Sequence, residues 1–217
     1  MSGLQAAGPF KIVILGEGRV GKTSLLRQYV RKTFDEREAS TQSAAYLEKT
    51  VQVRSTQVQL SLWDTAGQER YHSLAPIYYR DADGALLVYD ITDLESFRRV
   101  AKWVEELRIM GTQPSLAIVG NKSDLQSQAR VPLPEAEAYA RSIGARHSIA
   151  SAKIGQGVEE TFLKLTEDVL VSKAQAAGGR ATSGRRVRGA ALVSDEPIRS
   201  GRGAAAKGSC CGGGREP

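Results

Sequence analysis

The most constraining stretch lies near the start of the chain. Phe10-Lys11-Ile12-Val13-Ile14-Leu15 is a short β-rich apolar run that stops at Gly16. Gly16-Glu17-Gly18-Arg19-Val20-Gly21-Lys22-Thr23 follows and opens a predicted helix. A strand that ends in a glycine-bearing turn and feeds a helix commits the chain to the βα unit of α/β sheets. The spacing G-x-x-x-x-G-K-[ST] in that context adds chemistry. The glycines let backbone N–H groups turn inward, and the helix N-terminus adds its dipole, so the loop suits a phosphate chain. Lys22 supplies a point charge for the β/γ-phosphates, and the Thr23 hydroxyl is placed for Mg²⁺. A glycine-rich turn with an exposed lysine is the plainer alternative, and the strand–loop–helix context argues against it.

The rest of the chain extends that unit. Val51–Val53 and Val58–Trp63 alternate in the manner of two strands, with Val58, Leu60 and Leu62 on one face. Residues 84–89 and 116–119 are continuous apolar runs, as expected of strands covered on both faces. Leu94 to Met110, Ala136 to Ile143 and Val158 to Val171 carry helical periods. Strand and helix in alternation predict an α/β, doubly wound parallel sheet, with ligands at the carboxyl ends of its strands.

Three further segments at such ends carry polar signals. Asn121-Lys122-Ser123-Asp124 follows the run 116–119. A carboxylate at Asp124 can accept two N–H donors from guanine, which adenine does not offer. Asn121 can bond the base and brace the phosphate loop, and the Lys122 stem can cover the ring. Ser151-Ala152-Lys153 can offer a backbone N–H to the guanine carbonyl. Trp63-Asp64-Thr65-Ala66-Gly67-Gln68-Glu69 follows the strand 58–62. There Asp64 can hold the Mg²⁺ shell, the Gly67 N–H can bond the γ-phosphate, and Gln68 can orient an attacking water. Thr41, 18 residues after Thr23, is a candidate second hydroxyl on Mg²⁺; taken by itself it reads as a plain loop threonine.

Charge separates the chain into parts. The whole protein has 30 Lys+Arg against 24 Asp+Glu, a net +6 that suggests nucleic acid or a membrane surface as partner. Residues 1–171 hold 21 of each sign, whereas 172–217 hold nine basic residues and three acidic ones. The whole excess therefore sits in the last 46 residues, which are Gly-, Ala-, Ser- and Arg-rich and lack aromatics. Such a segment buries too little to offset its ordering entropy and is expected to be a flexible tail. The only two cysteines, Cys210 and Cys211, lie in it, which excludes a disulfide framework and a Cys-built zinc site. No apolar run reaches the ~20 residues of a membrane span, and residues 1–9 do not read as a signal peptide, so a cytosolic protein is expected.

The motifs GEGRVGKTS, WDTAGQER, YYRDADGALLVYDIT, NKSD and SAK together resemble the Rab family of the Ras-superfamily small GTPases. RYHSLAPIYYR, the LGEG…VGKTSL start and EAEAYARSIGARH look most like its endosomal branch. The resemblance covers residues 10–171. It implies a mostly parallel six-stranded sheet with helices on both faces, a short N-terminal extension at 1–9 and a basic lipid-bearing tail at 172–217. It implies GTP/GDP as ligand, with Mg²⁺ on Thr23, Thr41 and Asp64. The nucleotide contacts it implies are Gly16, Gly18, Arg19, Val20, Gly21, Lys22, Thr23, Ser24, Phe34, Thr41, Asp64, Gly67, Asn121, Lys122, Asp124, Ser151, Ala152 and Lys153. Phe34 matches the aromatic over the guanine, and Gly18 matches the small residue that leaves room for catalytic Gln68 and an incoming arginine. Arg19 matches a position that points away from the phosphates. Tyr46, Trp63 and Tyr78 match an aromatic triad read by effectors, with ordinary half-buried packing as the alternative. Cys210 and Cys211 match paired geranylgeranylation sites, although six residues trail them; two free thiols are the alternative. The implied partners are an exchange factor, a GTPase-activating protein, effectors, a prenylation escort and a GDP-dissociation inhibitor. The implied location is the cytosol, cycling to the cytoplasmic face of endosomal membranes, with no nucleic acid. One departure stands out: Rabs usually have Ile-Gly after the switch threonine and Phe at position 46, where this chain has Thr41-Gln42-Ser43-Ala44-Ala45-Tyr46.

Two other classes compete. A metabolic P-loop kinase would lack Asn121-Lys122-Ser123-Asp124 and carry an Arg-rich lid. A nucleic-acid binder would use aromatics in its basic tail, which has none.

Overall fold

The computed structural model describes residues 5–37, 41, 45–65, 78, 80–111 and 113–182. Six strands form one sheet in the order β2-β3-β1-β4-β5-β6. They are β1 (Gln5–Leu15), β2 (Ala45–Val53), β3 (Thr56–Asp64), β4 (Gly84–Asp90), β5 (Ser115–Asn121) and β6 (Arg146–Ile149). Only β2 runs antiparallel, joined to β3 by the two-residue turn Arg54–Ser55. Every other pairing is parallel. Among the described residues the helices with both ends described are α1 (Lys22–Arg31), α2 (Leu94–Arg98), α3 (Val100–Ile109), α4 (Leu133–Ser142) and α5 (Val158–Thr182), with a 3₁₀ segment at Ser123–Gln128.

Alternation along the strands builds two cores. Ile12 and Ile14 of β1 face the layer containing Leu25, Leu26 and Tyr29 of α1 and Phe162 and Leu165 of α5. Val13 and Leu15 face the opposite layer with Phe97, Trp103, Val104 and Leu107 of α2 and α3. β4 is buried at all seven positions, which accounts for its unbroken apolar run. On the first face Tyr29 stacks on Phe162 with ring centroids 4.0 Å apart.

Four boundaries differ from the sequence expectation. β2 begins at Ala45 rather than Val51, pairing with β3 along its whole length from Ala45 opposite Asp64 to Val53 opposite Thr56. β1 begins at Gln5 rather than Phe10: Gln5, Ala6 and Ala7 pair with Thr56, Gln57 and Val58, and the register shifts between Ala7 and Phe10. Part of the expected extension at 1–9 is therefore sheet. Pro9 lacks the N–H a ladder needs, so the strand pattern in the sequence stops there. Gly8 permits the irregularity, since its φ is +109° and a Cβ would lie 2.5 Å from the Gln59 carbonyl oxygen. The helix expected over 94–110 is divided at Arg99 into α2 and α3. Finally, α5 continues eleven residues past position 171, to Thr182, into the segment expected to be flexible. Lys173 pairs with Asp83 and the Ser172 hydroxyl meets that of Ser115, which holds the helix to the sheet there. The alanines at 174, 176 and 177 then favour continuation.

Among the described residues no helix is long and apolar enough to cross a membrane.

Candidate functional site

The carboxyl ends of β1, β3, β4 and β5 meet where the sheet order reverses, with β1 leading into α1 on one face and β4 into α2 on the other. The phosphate loop leaves β1 at Gly16, whose φ is +143°. A Cβ there would lie 2.2 Å from the Val88 carbonyl oxygen, so the loop passes β4 too closely for any side chain. Val20 is buried in the core and anchors the middle of the loop, while Gly18 and Arg19 are exposed. Gly21 is the N-cap of α1 and no side chain caps this helix end. Its first-turn N–H groups, including those of Thr23 and Ser24, thus have no side-chain cap, and such a helix end suits an anion.

Lys22 is buried, and its ammonium donates to the Gly16 and Glu17 carbonyls at 2.8 Å each. Burial pushes its pKa down to about 8, against the opposing pull of Asp64 and Glu17. An anionic phosphate beside it would favour the charged form.

Three oxygen donors from separate elements converge next to it. The Thr23 hydroxyl donates to Asp64 Oδ2 at 2.6 Å, and the Thr23 and Thr41 hydroxyls are 2.6 Å apart. Since Thr23 spends its proton on Asp64, Thr41 is the donor of the second bond. Two hydroxyls and a carboxylate are hard ligands, and Mg²⁺ takes few protein oxygens, completing its octahedron with water and phosphate. The donor set therefore fits Mg²⁺. Thr65 locks the end of β3 by donating its hydroxyl to the Ile14 carbonyl at 2.7 Å.

The base side is equally tied together. Asn121, at the end of β5, is 2% exposed. Its amide donates to the Val20 carbonyl at 2.8 Å, and its carbonyl accepts from the Ala152 N–H at 3.1 Å. One side chain thus bridges the phosphate loop and the loop after β6. Lys122 has a left-handed backbone, and its ammonium pairs with Asp90 at 2.6 Å, which lays the stem across the site. The Ser151 hydroxyl donates to the Asp124 carboxylate. Lys153, exposed, reaches Glu36 at 3.1 Å, across from Phe34 on the loop that follows α1. Gly67 and Gln68 lie outside the described residues, as do Cys210 and Cys211.

Tyr46, Trp63 and Tyr78 are contiguous. Tyr46 and Trp63 meet edge to face at 5.2 Å, and Trp63 and Tyr78 lie 6.3 Å apart. The Tyr46 hydroxyl contacts Glu48 and Ser61, and the Lys11 ammonium sits 4.9 Å from the Trp63 ring centroid. Sequence reasoning missed Asp90, Glu36 and Lys11. Asp90, a lone carboxylate closing a buried apolar strand, was the one with a readable signal.

A mostly parallel sheet with a lysine-bearing phosphate loop, an oxygen triad and a carboxylate-bearing base pocket defines a guanine-nucleotide-binding P-loop protein. Residues 11–171 match the Ras family. The relatives called "Ras-related protein Rab-21" from Mus musculus and Homo sapiens are each 45% identical over 210 residues, which cover 94% of this chain and 92% of each relative. The protein of the same name from Dictyostelium discoideum is 48% identical over 164 residues, covering 75% of this chain and 77% of that protein. The chain belongs to the Ras family, as a Rab-type small GTPase of membrane trafficking that binds guanine nucleotide and hydrolyses GTP.

Proposed function

We propose that this GTPase is a timed switch of the endocytic pathway, anchored to endosomal membranes by lipids on Cys210 and Cys211. Its GTP-bound form is read by effectors at Tyr46, Trp63 and Tyr78. The observation that carries the switch reading is the meeting of Thr23, Thr41 and Asp64 through 2.6 Å contacts. This cluster ties Thr41 to the phosphate end of the site. A nucleotide that retains its γ-phosphate would keep Thr41 there, and hydrolysis would release it.

Each residue then has a role. Lys22 and the uncapped N–H groups at Gly21–Ser24 bind the phosphates. Asp124 accepts the guanine N–H groups, the Ala152 N–H faces the guanine carbonyl, and Phe34 and the Lys122 stem flank the base. Thr23, Thr41 and Asp64 would hold Mg²⁺, which when bound offsets charge on the β- and γ-phosphates. Gln68 orients the attacking water, and Gly18 leaves it room. Arg19 is exposed, so the loop brings no arginine of its own to the transition state. Hydrolysis in such enzymes runs at roughly 10⁻⁴ s⁻¹ and rises about 10⁵-fold when a partner supplies one; that factor is about 7 kcal/mol of barrier.

The endosomal reading rests on the resemblance of RYHSLAPIYYR and EAEAYARSIGARH to that branch. The anchor rests on the paired cysteines in a segment of net charge +6, since two lipids and a basic stretch give stable binding where one chain does not. The test is to image the tagged protein against endosomal markers, with and without Cys210→Ser and Cys211→Ser together. Co-localisation in the parent and cytosolic signal in the variant are expected. Unchanged membrane recovery by the variant refutes the anchor, and a parent on other membranes refutes the endosomal assignment.

A further inference from the structure

The phosphate loop contains an acid. Glu17 sits two residues past the end of β1, in a loop whose task is to hold anions, and its carbonyl accepts the Lys22 ammonium at 2.8 Å. Its carboxylate is mostly buried, with 18% of the side chain exposed. A carboxylate so placed raises the local negative potential where the phosphates must lie, and in a partly buried site little solvent screens it.

Arg99 answers that charge from the other side of the sheet. Its guanidinium donates from Nη1 to Glu17 Oε2 at 2.8 Å, across 82 residues of sequence. Arg99 is the joint between α2 and α3, and its backbone is held at both ends. Its N–H donates to the Glu95 carbonyl at 3.0 Å, and its own carbonyl accepts from Lys102 and Trp103. Trp103 is buried in the core under β4 and β5. Arg99 also approaches Glu95 at 3.7 Å, an exposed neighbour one helical turn away. The cation is therefore set on a rigid element and directed at the loop.

We propose that Arg99 is a positioning residue for the phosphate loop. By neutralising Glu17 it keeps an acid-bearing loop able to bind nucleotide phosphates, and it holds the Glu17 peptide where its carbonyl meets Lys22. The inference rests only on guanine-nucleotide binding. It is independent of the membrane and effector readings.

The test measures release of fluorescent GDP and of a non-hydrolysable fluorescent GTP analogue from the full chain in Mg²⁺. Arg99→Met is expected to speed release about tenfold, more for the triphosphate than for the diphosphate because it carries more negative charge. The effect should shrink at high salt. Arg99→Lys should stay within about threefold of the parent. The double variant Glu17→Gln/Arg99→Met should release at least fivefold more slowly than Arg99→Met alone. Thermal melts with saturating GDP check that each variant folds; if Arg99→Met does not, Arg99→Gln and Glu17→Gln/Arg99→Gln replace the pair, with the same expected and overturning outcomes. Unchanged release in Arg99→Met overturns the proposal. So does a double variant as fast as the single one, or an effect indifferent to salt and nucleotide charge, because a merely structural contact would behave that way.

Discussion

Asn121→Ala separates bracing of the site from contact with the base. The Asn121 amide is the hydrogen-bond partner of two buried backbone groups, the Val20 carbonyl at 2.8 Å and the Ala152 N–H at 3.1 Å. Val20 is 1% exposed and Ala152 is 3% exposed, so bulk water reaches neither without movement of the loops. Leaving a buried backbone group unpaired costs about 1–3 kcal/mol. Two of them give roughly 2–6 kcal/mol, before any loss of nucleotide affinity. For a protein of this size each kcal/mol moves the midpoint by about 2–4 °C. Circular dichroism melts of the full chain should thus show the nucleotide-free variant unfolding roughly 5–20 °C below the parent. With saturating Mg²⁺ and GDP the gap should widen, because a ligand stabilises only in proportion to its binding. If the nucleotide-free midpoints agree within about 2 °C while GDP affinity falls, Asn121 acts on the base alone and the bracing argument is wrong.

Two further outcomes follow from named residues. Gln68→Leu should retain GTP affinity but nearly abolish hydrolysis stimulated by an activating protein, read as phosphate release; normal stimulated turnover refutes the water-orienting role. His147 is half-buried beside Tyr89, whose hydroxyl lies 3.0 Å from its Nε2, and burial lowers its pKa while Glu137 pulls the other way. The unfolded chain takes up the proton first as pH falls below about 6.5, so stability is present above that value and is lost below it. Urea midpoints at pH 7.5 and 5.5 should converge more closely in His147→Gln than in the parent; an unaltered slope argues against this origin.

Much of the site was legible because its requirements are local. The phosphate loop needs a close backbone approach at Gly16, a left-handed glycine at Gly21 and a lysine directly after it at Lys22, and contiguous sequence can encode all three. Continuous apolar runs at 84–89 and 116–119 likewise announce strands covered on both faces. What was not legible depends on partners distant in sequence. The ends of β1 and α5 were misplaced because Pro9 and a glycine- and alanine-rich composition look like disorder until Thr56–Val58, Ser115 and Asp83 are there to pair with them.

The sequence by itself thus determined the phosphate loop, the guanine-reading ends of the strands and the placement of the excess charge in the tail. Each follows from the backbone preferences or charge of neighbouring residues. Only the tertiary structure decided that Thr23, Thr41 and Asp64 share one cluster, that Asn121 joins two loops, and that Arg99 meets Glu17. Those contacts span 18 to 101 residues of chain. They exist because strand order and helix packing bring those positions together, and no local propensity records that.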